Sequence, residues 1–225
     1  MSRTLTASDR SSLIRLASSL PVGSTERKAI LAGLVQTKVA ADEFNVPGQH
    51  ILNKAQVSGN ARVTDDAKVY DFARVFGDAE VSGDAGVSGK ARVSGKARVT
   101  DDAKVYGFAR VTGNAQVSDD AKVFSGAEVS DDAQVYGKAQ VYGDALVSGD
   151  AEVFGNAKVY GNAEVGGNAQ VLGSAEVYGE AQVSGGAKVF GKARIGGNAE
   201  ILGGKWDGSE GEILSGKWKA PGVPA

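Results

Sequence analysis

From Ala55 onward the chain repeats its apolar and polar positions on a period of six without a break. Alanine stands at Ala55, Ala61, Ala67 and every sixth residue to Ala199. Two places after each alanine comes valine, replaced by isoleucine only at Ile195 and Ile201. Two places further on comes glycine or aspartate, with serine once, at Ser125. The result is 25 consecutive copies of Ala-x-Val-x-Gly-x, ending at Gly204 with no insertion.

Within one copy, such as Ala157-Lys158-Val159-Tyr160-Gly161-Asn162, strand alternation puts Ala and Val on one face and Lys and Tyr on the other. Gly161-Asn162 reads as a corner, because Gly, Asn and Asp tolerate the positive φ of a tight turn. The expected unit is a four-residue strand plus a two-residue turn. One hexad cannot bury its own Ala/Val face, but stacked coils bury it continuously, so the pattern predicts a solenoid.

The outward positions set the number of hexads per coil. All six tyrosines follow a valine directly. Read at an interval of 18, Tyr70, Ser88, Tyr106, Phe124, Tyr142, Tyr160, Tyr178 and Gly196 form one column that collects most of the aromatics at this position. The column from Ser58 holds only Phe76 and is mostly Ser and Thr. Such sorting predicts a triangular coil of three hexads whose like side chains stack as ladders. About eight coils at a strand spacing of about 4.8 Å would make a prism roughly 40 Å tall.

Val-x-Gly-Asn-Ala-x resembles the hexapeptide repeat of left-handed parallel β-helix proteins, and the resemblance covers about two thirds of the chain. It implies an all-β fold, a left-handed parallel β-helix. The Ala-x-Val-x-Gly-Asn/Asp variant also resembles repeats common in phage, prophage and uncharacterised bacterial proteins. The superfamily includes acyltransferases, carbonic anhydrases and proteins without known catalysis, so it leaves activity open.

The flanks differ. Residues 1–48 are expected to form a helical hairpin and connector. Leu13, Ile14, Leu16 and Leu20 make one apolar stripe at helical spacing, and Pro21-Val22-Gly23 breaks it. Ile30, Leu31 and Leu34 make a second stripe after a Ser24 cap. A hairpin of this size cannot bury its own core. It either covers the first coil, whose strand edges would otherwise invite pairing, or docks onto a partner or another copy. The solenoid is expected over residues 49–204. Residues 205–225 read as a capping segment, with Trp206 and Trp218 over the far end of the core, and an extended tail.

Composition narrows the chemistry. The 225 residues carry a net charge of −2, which gives no general affinity for nucleic acid or anionic membranes. No cysteine is present, which excludes thiolate nucleophiles and Cys-ligated metals. Neither a signal peptide nor an apolar run long enough to span a membrane is visible, so a cytoplasmic or virion location is expected. The single histidine, His50, precedes the repeat. The family's acyltransferases use a histidine base and excursion loops between coils, and its carbonic anhydrases need three histidine ligands, so neither pattern is met here.

The carboxylates Asp65, Asp66, Asp84, Asp101, Asp102, Asp119 and Asp120 gather at one corner. They read as turn residues with local ion pairs to outward bases, ahead of a calcium site. No catalytic residue, metal or cofactor is assigned. The candidate interaction face is Tyr70, Tyr106, Phe124, Tyr142, Tyr160 and Tyr178 beside Lys104, Lys122 and Lys158. Three uses stay open for it: cross-strand stabilisation, a subunit interface such as a homotrimer, or binding of sugar or single-stranded nucleic acid. The leading expectation is a non-enzymatic spacer or adaptor that docks to other structural proteins or to copies of itself, with a phage particle as one setting. An acetyl-CoA-dependent trimeric acyltransferase and a glycan- or protein-binding module are the alternatives.

Overall fold

The computed structural model describes residues 50–51, 54–220 and 223–224. The hairpin expected over residues 1–48, with Leu13, Ile14, Leu16, Leu20, Ile30, Leu31 and Leu34, lies outside the described residues.

Each hexad supplies a two-residue strand, the outward residue and its valine, as in Lys104–Val105. The hydrogen-bonded ladder is longer than that strand. Lys104 N donates to Ala121 O at 2.9 Å, and Tyr106 N donates to Val123 O at 3.0 Å. Partner strands are separated by three hexads and run parallel: Lys104 pairs with Gly86 on one side and Lys122 on the other. Parallel strands need a long crossover, and here the other two faces of the coil provide it. Three hexads per turn is therefore the observed period.

Three sheets result. The first has ten strands, from His50–Ile51 to Glu212–Ile213. The second has eleven, from Gln56–Val57 to Val223–Pro224, and the third has nine, from Arg62–Val63 to Lys205–Trp206. The stack has about nine coils, where the perfect repeat alone predicts about eight. The difference comes from residues on either side of the repeat that pair in line with it.

Beyond Gly204 the spacing contracts on the second and third sheets, while Glu212 keeps the full interval from Arg194 on the first. Lys205 pairs with Lys188, and Lys217 pairs with Glu200, each one position short of three hexads. Trp206 occupies the place of a valine opposite Val189 and is 1% exposed. Its indole N–H donates to Gly203 O at 2.8 Å. Trp218 packs edge-on against it at 5.9 Å and 80°. Val223–Pro224 then turns back antiparallel against the last strand of the second sheet.

The interior is almost entirely alanine and valine, and no polar or charged residue is buried among the described residues. Burying a valine is worth about 1.5–3 kcal/mol, so a long run of identical small contributions replaces one large core. Corners are left-handed. At Gly143 (φ +75) an added Cβ would stand 2.8 Å from both N and O of Gly161 in the next coil.

Six corners nevertheless carry side chains at φ between 56 and 62: Asp65, Asp71, Asp101, Asp119, Ser125 and Asp131. Four of the aspartates show why. Asp119 Oδ2 accepts from Gly137 N at 2.9 Å, Asp131 Oδ2 from Gly149 N at 3.1 Å, Asp65 Oδ2 from Gly83 N at 3.2 Å, and Asp101 Oδ2 from Asp119 N at 3.4 Å. These corner amides have no backbone acceptor among the described residues. Each carboxylate caps the next coil, which offsets the cost of its strained backbone.

The ion pairs expected at this corner are not observed among the described residues. Bases pair instead with glutamates at the same strand position one coil away, as Arg98 does with Glu80 at 3.7 Å and Arg110 with Glu128 at 3.6 Å. Direction contributes: strand bases stand off the flat of a sheet, whereas Asp65, Asp101 and Asp119 point along the stack to the next coil's amide.

Candidate functional site

The flat of the first sheet carries the candidate face. Stacking coils at the strand spacing forces identical outward positions over one another. Tyr106, Phe124, Tyr142, Tyr160 and Tyr178 accordingly form one ring stack, with centroids 4.9, 4.9, 5.0 and 5.3 Å apart and planes within 11°. Tyr70 belongs to the same column but stands apart, because Ser88 fills the rung between it and Tyr106. The rings lie half-buried against one another, so mainly their edges meet solvent.

Beside the stack run Lys104, Lys122, Gln140 and Lys158, joined by register. They line a shallow depression of about 550 Å³ together with Asp102, Asp120, Lys138 and Asn156. The upper end of the face is internally neutralised. Glu176 takes Lys158 Nζ at 3.4 Å and Arg194 Nε at 3.6 Å, and Arg194 also reaches Glu212 at 3.2 Å. Tyr160 OH donates to Glu176 at 3.4 Å and Tyr178 OH donates to Glu212. Lys104 and Lys122, lower down, make no ion pair among the described residues. The structure thus brings Lys104, Lys122 and Lys158 alongside the stack. It sets Tyr70 off by one rung and puts Trp206 and Trp218 at the far end. The backbone of His50 pairs with Lys68 in the first rung. Among the described residues no cluster of His, Asp or Glu is arranged to hold a metal ion.

Two aromatic features are absent from the column reading. Tyr136 and Phe154 stack at 4.8 Å on the third sheet, and Tyr136 OH donates to Glu152 at 3.3 Å. At the corner after the first sheet, Lys54 lies 5.2 Å from the Phe72 ring and Lys90 5.1 Å from the Phe108 ring. Phe72 is 53% and Phe108 63% exposed. The signal for this corner is visible at an interval of 18: Lys54, Phe72, Lys90, Phe108 alternate.

Four of the phenols, Tyr106, Tyr136, Tyr160 and Tyr178, resist ionisation. Burial raises the pKa of Tyr106, of Tyr136 and of Tyr160 above the ordinary 10.0, and Glu152 and Glu176 add to it at the latter two. At Tyr178 the hydrogen bond to Glu212 is the main cause. A pKa raised on folding means the folded state holds its proton longer. Stability from these groups is therefore full below about pH 10 and falls as pH rises from there through the raised values. Thermal melts should be flat across mildly alkaline pH and drop above about pH 10. Tyr160→Phe should blunt the drop, and a parent-like drop in that variant would contradict the assignment.

Against family models, residues 55–71 and 139–153 match the YdcK beta solenoid repeat. No curated protein matches the chain. Together with three parallel sheets whose strands pair at an interval of three hexads, the match fits a β-helix of the hexapeptide-repeat type.

Proposed function

We propose that the protein is a non-enzymatic structural element, a rigid β-solenoid spacer that docks to other structural proteins, or to copies of itself, through the segment before residue 49. The observation that supports this reading is the unbroken wall of the solenoid. From Gln56–Val57 to Glu200–Ile201 every strand sits in its sheet beside the strand three hexads away, and no loop leaves the described coils. Each coil is tied to the next by ladder bonds, with ring stacking and ion pairs added along parts of the axis, which suits a rod that holds two ends at a fixed distance. Left-handed winding and a setting in a phage particle, both implied by the resemblance, belong to the same reading. An acyltransferase of the family would use a histidine base in a cleft, and the depressions on the first sheet are lined by lysines, carboxylates, amides and tyrosines instead.

The test is the native mass of the full chain beside that of residues 49–225, with acetyl-CoA titrated into the full chain. The reading expects an assembly that falls to monomer when the segment 1–48 is removed, with the β signal in the far-ultraviolet retained. An unchanged mass, or saturable acetyl-CoA binding, would overturn it.

A further inference from the structure

Both columns of the first sheet lose their long side chain on the same coil. In the strand column Gly86 lies between Lys68 and Lys104. In the ring column Ser88 lies between Tyr70 and Tyr106. The two vacancies merge into a notch of about 500 Å³ lined by Lys68, Tyr70, Asp84, Asp102, Lys104 and Tyr106 over a floor of Gly86 and Ser88. A Cβ built on Gly86 meets nothing within 4 Å, so this space is open.

We propose that the notch is a binding site for a flat aromatic ring carrying a carboxylate on a short chain, an arylpropanoate. The ring slot follows from the ladder. Tyr70 and Tyr106 are two rungs apart, about 10 Å at the ordinary strand spacing. One inserted ring would have a neighbour above and below, as Phe124 has Tyr106 and Tyr142 at 4.9 Å on either side. Tyr70, at 36% exposure, is the most exposed tyrosine of the column.

The anion slot follows from the strand column. Lys68 and Lys104 flank Gly86, and neither makes an ion pair among the described residues. Residues 86 and 88 share a face and lie about 6.6 Å apart along the strand. That length suits a ring and carboxyl joined through two methylene carbons and exceeds what a benzoate spans. Asp84 and Asp102 sit on the rim, two positions before the lysine column. They disfavour a second anionic group and leave an amine acceptable there, so aromatic amino acids fall within the class.

Full-length protein labelled with nitrogen-15 would be titrated with 3-phenylpropanoate. The expected result is saturable shifts centred on the amides of Gly86, Val87 and Ser88, with benzoate and phenethylamine each binding at least about tenfold more weakly. Ser88→Tyr continues a ladder the protein already builds, so it should fold, melt no lower than the parent and lose the shifts. Gly86→Lys should do the same from the anion side. Absence of saturable shifts, equal binding to Ser88→Tyr, or equal affinity for benzoate or phenethylamine would overturn the proposal.

Discussion

Val123→Asp is expected to unfold the middle of the solenoid, while Lys122→Asp, one residue earlier, should stay within about 0.5 kcal/mol of the parent. Val123 is wholly buried between Val105 and Val141. The core around it contains no polar residue, so a carboxylate there would find no donor. The cost should exceed about 4 kcal/mol. Contacts in a solenoid reach only neighbouring coils, so the loss should appear as a broken or two-stage melt rather than a uniform shift. Burial would raise the pKa of the new carboxyl above the usual 3.9 or so, so part of the structure should return on acidification through that range. Far-ultraviolet dichroism and melts at neutral and acid pH check this. Matching melts for the two variants would show that the strand alternation is misassigned.

The second large effect concerns length. Deleting Ala121–Lys138, one whole coil, should give a folded protein one rung shorter, with Tyr142 stacked directly on Tyr106. Deleting only Ala121–Gly126 keeps Ala and Val inside, because every hexad is equivalent to the core, but it turns everything downstream by one face. Tyr106 would then meet Ser130, while Tyr142, Tyr160 and Tyr178 would move to the third sheet. This variant should fold but lose about 0.5–1.5 kcal/mol for each broken stack and show an altered tyrosine signal in near-ultraviolet dichroism. Deleting Lys122 alone exchanges inside for outside beyond the cut and should disrupt the stack. If the single-hexad deletion kept the parent's tyrosine signal, the register of three hexads per coil would be wrong.

These three scales explain how much of the fold is legible in the residues alone. The period of six is written in the core, where Ala and Val recur at every hexad. The period of 18 is written only outside, where Tyr106, Phe124, Tyr142, Tyr160 and Tyr178 must share one column to touch. Both can be inferred because stacking makes like positions coincide. The corner aspartates are recognisable as turn formers, but their partners are not. Nothing at the level of residue types distinguishes a carboxylate that pairs with a base from one that caps the next amide; that depends on which way the corner points. Trp206 is expected as a cover over the core and is found within it, in a valine's place, because the register beyond Gly204 falls one position short. The notch is hard to read from the column because it consists of what Gly86 and Ser88 lack, and the aromatics draw the eye instead.

The far end has one more consequence. A stack of parallel strands at this spacing is geometrically the tip of a fibril, and a bare Ala/Val coil would accept another such coil indefinitely. Here the contracted register, the indole of Trp206 in a core position that valine fills elsewhere and the antiparallel pairing of Val223–Pro224 with the last strand of the second sheet make the final rung unlike all the others. A coil arriving from another molecule would find no matching template on that sheet, which disfavours further pairing along that edge.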